Sequence, residues 1–170
     1  IGAPITAALI EELGELGCKE FIIVGTAGAI SPGQEIGDII MVKQSIRDEG
    51  VSHHYLPPAK YTSSSPQLFG ELESLMQAHN ISYRIGNSWT IDAPYRETVE
   101  EIQQYASEGV LAVEMEAASV FAISKYRGFR SMAILVLSDD LSDLVWQPHF
   151  HRVEVHQNLV KVIDTIIKHI

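Results

Sequence analysis

At 170 residues the chain has the length of one compact domain able to bury a core, and 46% hydrophobic with 20% charged residues excludes a disordered, collagenous or low-complexity polypeptide. Twelve Lys and Arg against 22 Asp and Glu leave a formal charge of −10, a sign that repels phosphate backbones and anionic lipid, so no nucleic acid and no membrane partner is expected. The one cysteine, Cys18, permits no internal disulfide and reads as buried packing at a helix end; no leader and no run of about 18 apolar residues is present, which points to a cytoplasmic setting.

Short apolar runs alternate with segments of helical period, the pattern of βα units around a largely parallel sheet. Pro4 suits a first helical turn, and Ile5, Leu9, Leu13 and Leu16 follow at helical spacing until Gly14 and Gly17 weaken and end the helix. Phe21-Ile22-Ile23-Val24 reads as a buried strand that breaks into a turn at Gly25-Thr26-Ala27-Gly28-Ala29. After Ser31-Pro32-Gly33 a second strand runs from about Asp38 to Ser45. Residues 49–66 form a Pro- and Ser-rich loop too long for a bare connector, the kind that carries function or moves. A helix over 67–78, a strand over 82–89, a loop over 90–98, a helix over 98–107, a strand over 110–113, a helix over 116–127, a strand over 132–137 and a final helix over 150–170 complete the chain. Neither a repeat nor a linker divides it, so a single domain over 1–170 is expected.

Chemistry is expected where apolar strands end, because ligands in open α/β sheets bind beyond the carboxyl ends of the strands. The first strand ends in Gly25-Thr26-Ala27-Gly28, either a turn whose N–H groups and hydroxyl meet an anion or plain glycine punctuation; it is no P-loop, since no Lys-Ser/Thr follows. Strand 110–113 ends in Glu114-Met115-Glu116, where a carboxylate can accept both hydroxyls of a ribose while the thioether packs on the sugar; the plainer reading is an acidic helix start. Strand 132–137 ends in Ser138-Asp139-Asp140, and partial desolvation there suits Asp139 to general-acid work, the alternative being a turn cap. Asp140, Asp143, His149 and His151 lack the spacing of a metal framework, and His53 and His54 sit in the long loop as substrate contacts or as solvated surface.

The segments GAPITAALIEEL, VGTAGAI, IGDIIMVKQSIRDEG, RIGNSWTIDAPYRET, VEMEAASV and VLSDD, in this order, resemble the purine nucleoside phosphorylase and uridine phosphorylase superfamily, which also contains nucleosidases that use water in place of phosphate. The resemblance implies a three-layer αβα domain with a central mixed, largely parallel sheet, assembled as a homo-oligomer. It further implies cleavage of a nucleoside's N-glycosidic bond with phosphate as co-substrate and no cofactor. On the same basis Gly25 and Thr26 would meet phosphate or the ribosyl site, Met115 would pack on ribose, and Glu116 would bind its 2′ and 3′ hydroxyls beside Glu114. Asp139 would protonate a purine at N7 with Arg152 assisting, and Trp89 and Tyr95 would border the base.

Ile23 stands where phosphorylases of this family carry an arginine, which adds weight to hydrolysis. Thr98 and Glu100 occupy the places of the uracil-reading Gln and Arg. With Asp139 this favours a purine, although IRDEGVSHHYLPP and TIDAPYRET look closer to uridine-phosphorylase-like sequences. Family members carry strands and a glycine loop before GAPITAA, so the chain reads as N-terminally truncated, with an exposed sheet edge, a tendency to associate, and weak or absent phosphorolysis by itself. A phosphate-independent nucleosidase and a non-catalytic nucleoside-binding or structural remnant are the alternatives.

Overall fold

The computed structural model describes residues 1–169. Its elements in chain order are α1 (Ala3–Glu15), β1 (Glu20–Ala29), β2 (Ile39–Asp48), β3 (Tyr61–Ser63), α2 (Pro66–Ala78), β4 (Arg84–Ile91), α3 (Val99–Ser107), β5 (Val110–Glu114), α4 (Ala117–Arg127), β6 (Arg130–Asp140), β7 (Gln147–Pro148) and α5 (Val153–Ile167), with 3-10 turns at Ser52–His54 and Pro94–Arg96.

The strands form a seven-stranded mixed sheet in the order β3-β2-β4-β5-β1-β6-β7. Three pairings are parallel, β1 with β6, β2 with β4 and β4 with β5. Those of β1 with β5, β2 with β3, β2 with β6 and β6 with β7 are antiparallel. The expected mixed α/β sheet is present, and its longest pairings, β1 with β6 and β2 with β4, are parallel; it does not lie as the single central layer of a three-layer arrangement. The first residues of β2, Ile39 to Val42, pair with β6, while the rest of the strand pairs with β4, so β2, β4, β5, β1 and β6 close into a ring. Apolar periodicity reports which faces are buried and carries no information on this closure, which long-range backbone pairing decides.

β6 shows why its sequence is a continuous apolar run. Met132, Ile134 and Val136 face Leu68, Leu72 and Met76 of α2 and Val155, Val162 and Ile166 of α5. Ala133, Leu135 and Leu137 alternate with them and pack on the opposite side with Ala117 and Phe121 of α4. α4 is buried along Ala117 to Ser124, and α1 lies against it through Ala7 and Ile10. α3 covers β4 and β5 through Ile102, beside Trp89, Val110 and Val113.

Two local expectations change. The Gly25–Gly28 segment is no turn: β1 runs on through it to pair with β6 along its whole length and, at Gly28 and Ala29, with β5. Extended backbone sends successive N–H groups to opposite sides, so the segment does not gather them on an anion. Cys18 is exposed and is not core packing. Residues Glu20 to Ala27 of β1 pair with β6 alone, and Ile22 and Val24 line an apolar groove of about 410 Å³ with Ile163, Ile166 and Ile167 of α5. The long loop is pinned from within. Buried Arg47 donates to Ser52 Oγ at 2.8 Å and to the carbonyls of Ser52, Leu56 and Pro57, while buried Glu49 accepts from the N–H groups of Val51 and Ser52.

Candidate active site

The ends of β1, β5 and β6 converge on a cavity of about 600 Å³. Adjoining it, between the Pro94–Glu97 segment and the loop after β6, lies a hollow of about 440 Å³; Pro94, Glu97, Asp139 and Phe150 line both. The combined space has the size and the mixed apolar and polar lining of a small-molecule site.

At the end of β5 the two glutamates have different environments. Glu114 is 5% exposed, and its carboxylate accepts from the hydroxyls of Thr90, Ser88 and Ser45 and from the backbone N–H groups of Glu116 at 2.8 Å and Ala117 at 2.6 Å. It thus satisfies first-turn N–H groups of α4 that no N-cap side chain reaches. Burial pushes its pKa up to about 7 against the pull of these bonds. Although Glu114 borders the cavity, its oxygens are engaged by the protein, so the geometry does not support a direct ribose contact for it. Met115 and Glu116 are half-buried and line the cavity. Glu116 Oε1 accepts from the N–H of Gly2 at 2.6 Å, tying the start of α1 to the start of α4.

On β1, Thr26 is exposed and lines the cavity together with Gly25. Gly28 permits the close approach of β6: a Cβ there would lie 3.0 Å from Asp139 Oδ2 and 2.9 Å from Leu141 Cδ1. The register of β1 against β6 shifts at Ala27/Gly28, a bulge that re-aims the strand end next to the site.

Asp139, 9% exposed, stands at the end of β6. Its Oδ1 accepts from Ser138 Oγ at 2.8 Å and its Oδ2 from Trp146 Nε1 at 2.9 Å. Trp146 and Phe150, their ring centroids 6.2 Å apart, form an aromatic wall of the hollow. Across it, Glu97 is half-buried; burial first, then repulsion by Asp139 and by Glu101, pushes its pKa up to about 7.

Of the expected site residues, Gly25, Thr26, Glu114, Met115, Glu116 and Asp139 are brought together, and Tyr95, 98% exposed, stands at the rim of the hollow. Two of the expected residues stand away from both cavities. Trp89 is fully buried, donates from Nε1 to Asp48 at 3.0 Å and packs edge-on to Tyr105, so it belongs to the core because β4 points it inward. Arg152 precedes α5, is exposed, and pairs with Glu154 at 3.4 Å; it lines neither cavity. Glu97, Trp146 and Phe150 were missed. An apolar aromatic pair in a polar loop was a readable signal, whereas a glutamate in a loop carries none. No group of three or more His, Cys, Asp and Glu that could hold a metal ion occurs among the described residues, and no helix there is long and apolar enough to cross a membrane.

The family profile described as the phosphorylase superfamily matches residues 1–168. Curated relatives include a guanosine phosphorylase of Halorubrum lacusprofundi, 30% identical over 83% of this chain and 58% of its own length. A uridine phosphorylase of Thermococcus kodakarensis is 32% identical over 77% of this chain and 52% of its own. A DeoD-type purine nucleoside phosphorylase of Alkaliphilus metalliredigens is 29% identical over 83% and 61%. The chain thus spans little more than half the length of the curated relatives it matches. Among solved structures, the purine nucleoside phosphorylase of Toxoplasma gondii in complex with immucillin-H superposes with a TM-score of 0.87 at 24% identity, over 97% of this chain and 69% of that one. A Plasmodium knowlesi homologue of the P. falciparum enzyme gives 0.82 at 23%, over 95% and 66%. At these identities the superpositions establish the fold.

Proposed function

The chain belongs to the phosphorylase superfamily, and from that premise we propose that it forms the ribose- and base-binding part of an enzyme cleaving the N-glycosidic bond of a nucleoside, with phosphate as co-substrate, no cofactor, and a purine preferred over uridine. The observation that carries this reading is the convergence of Thr26, Met115, Glu116 and Asp139 on one cavity that opens into an aromatic-walled hollow.

In the proposed reaction the ribose lies against Met115, and Glu116 accepts hydrogen bonds from its 2′ and 3′ hydroxyls. As the C1′–N9 bond lengthens, positive charge grows on the ribosyl ring and negative charge on the base. Asp139, oriented by Ser138 and Trp146, delivers a proton to N7 of the leaving purine. The carboxylate of Glu116 stabilises the developing cation, and the acceptor oxygen adds to C1′ with Thr26 Oγ1 as a contact. Phosphorolysis in this form yields ribose 1-phosphate and the free base.

One observation favours water as acceptor, the second reading: no Lys, Arg or His lines the main cavity among the described residues, and Ile23 forms part of its wall. Release of free base from inosine, guanosine, adenosine and uridine, measured with and without phosphate, decides between them. Release only with phosphate is the expected result. Release independent of phosphate selects hydrolysis, and nucleoside binding without release selects a non-catalytic binding role. Association into a homo-oligomer remains part of the proposal, supported by the unpaired edge of β1 and its apolar groove.

A further inference from the structure

We propose that Thr90 is the positioning residue of Glu116: from within a buried row of hydroxyls it holds Glu114 in the pose that fixes the backbone of Glu116 and so aims its carboxylate at the sugar hydroxyls. The inference rests on the nucleoside-cleaving function proposed above. Thr62 on β3, Ser45 on β2 and Ser88 on β4 lie side by side across the sheet. Thr90, two residues beyond Ser88 and so on the same face, lies opposite Glu114 on β5. All four hydroxyl side chains are buried, on the face that α4 covers through Ala117 and Phe121.

The contacts of the row run in one direction. Thr90 Oγ1 accepts from the N–H of Ala118 at 2.8 Å, which leaves its own hydrogen and one lone pair for Glu114 Oε1 and for Ser45 Oγ at 2.7 Å. An ionised carboxylate has no hydrogen to give, so Thr90 donates to Glu114, Ser45 donates to Thr90, and Ser88 donates to Ser45 at 2.8 Å. Oε1 is thereby clamped, and Oε2 is left for the N–H groups of Glu116 at 2.8 Å and Ala117 at 2.6 Å. Hydroxyls suit this task better than a cation because they can turn round. Burial pushes the Glu114 pKa up to about 7, and a protonated Glu114 donates to Thr90, which donates to Ser45, whose hydrogen then faces the Ser88 carbonyl at 3.4 Å. Glu114 keeps its place in both states.

Glu116 needs this hold because it belongs to neither β5 nor α4, and its backbone, at φ −135° and ψ −38°, is neither extended nor helical. Its N–H goes to Glu114, its carbonyl accepts from Ser119 Oγ at 2.7 Å and from the N–H of Val120 at 3.1 Å, and its carboxylate accepts from the N–H of Gly2 at 2.6 Å. Removing the Thr90 hydroxyl leaves the Ala118 N–H without that acceptor and frees Glu114 to rotate, and the error passes to the peptide that carries Glu116. Thr62 is an internal control. It lies in the same row, but its buried Oγ1 has no partner among the described residues, so it stands outside the chain of contacts.

The test is to measure Kd of the folded protein for inosine and for 2′,3′-dideoxyinosine, which lacks both hydroxyls that Glu116 binds, in wild type, Thr90→Val, Thr90→Ser and Thr62→Val, with folding checked by circular dichroism. Thr90→Val keeps the shape without the hydroxyl, and is expected to weaken inosine about tenfold while dideoxyinosine stays within about twofold of wild type. Thr90→Ser is expected to restore inosine binding, and Thr62→Val to leave both ligands unchanged. Once Glu116→Ala is present, Thr90→Val is expected to add nothing, because it acts through that residue. Equal weakening of the two ligands, or an effect that adds to that of Glu116→Ala, overturns the positioning role while the proposed function stands. Should Thr90→Val fail to fold, Ser45→Ala, one step further along the row, is read by the same criteria. If inosine does not bind the folded wild type, the proposed function falls and the inference with it.

Discussion

The ends of β5 and β6 invite comparison because each presents a carboxylate directly after an apolar strand. Glu114 is enclosed by three hydroxyls and two backbone N–H groups, every one of them supplied by the protein, and it fastens β4 and β2 to the start of α4. Asp139 holds only Ser138 and Trp146 and borders two open spaces, with Glu97 across the hollow. The difference teaches that a carboxylate's role follows from the source of its donors. Where the fold fills them, the group is a strut; where it leaves room, the group is free to meet a ligand.

Substitutions at the two ends should separate these roles. The largest effect expected is on chemistry at the β6 end: Asp139→Asn keeps the hydrogen-bonding shape but removes the proton donor, and should lower kcat for a purine nucleoside by about a hundredfold to ten-thousandfold with Tm nearly unchanged. Unchanged turnover would remove Asp139 from the mechanism. At the β5 end, Glu114→Ala should show the reverse balance, a loss of roughly 3 kcal/mol of stability in urea titrations, because buried hydroxyls and N–H groups lose their acceptor. A nucleoside-binding defect without destabilisation would make Glu114 a ligand contact after all. Glu116→Ala lies between the two, and is expected to raise KM for nucleosides by about tenfold to a hundredfold through loss of charge-assisted bonds to the ribose hydroxyls.

A smaller effect probes Glu97 through pH. Its folded pKa of about 7 lies above the ordinary 4.5, so it takes up a proton on folding. Its stabilising contribution is fully present below about 4.5 and is lost as pH rises through about 7. Glu97→Gln and wild type should therefore have similar stability near about pH 5, and the variant should be more stable by about 1 kcal/mol near about pH 8, after allowance for solvent screening of a half-exposed group. Parallel stability curves would place Glu97 in a more solvated setting. The smallest expected change is from Thr98→Ala. Thr98 and Glu101 form a reciprocal capping box directly after Glu97, and its loss should cost about 1 kcal/mol and loosen the segment that presents Glu97.

Much of the fold was readable because burial leaves a periodic trace. The apolar run of β6 reports packing on both of its faces, whereas in α1 the spacing of Ile5, Leu9, Leu13 and Leu16 marks a helix but not its buried face: all four are exposed, and Ala3, Ala7 and Ile10 pack inward. The extension of β1 through Gly25–Gly28 was not readable: glycines after an apolar run signal a turn locally, and only the partners β5 and β6 hold that backbone extended. The same limit applies to Trp89, whose aromatic character suits a base site and a core equally until β4 turns it inward. Arg152 lay at a suggestive distance along the chain from Asp139, but α5 begins immediately after it and leaves its guanidinium beside Glu154.

By itself the sequence determined the α/β class, the family, and the three places where polar groups follow apolar runs, because these depend on residue type and short-range order. Tertiary structure decided the closure of the sheet between β2 and β6, the division of labour between Glu114 and Asp139, and the arrival of Glu97, Trp146 and Phe150 at one hollow. Each of these depends on which distant group supplies a donor, a wall or an opposing charge, and spacing along the chain does not encode that.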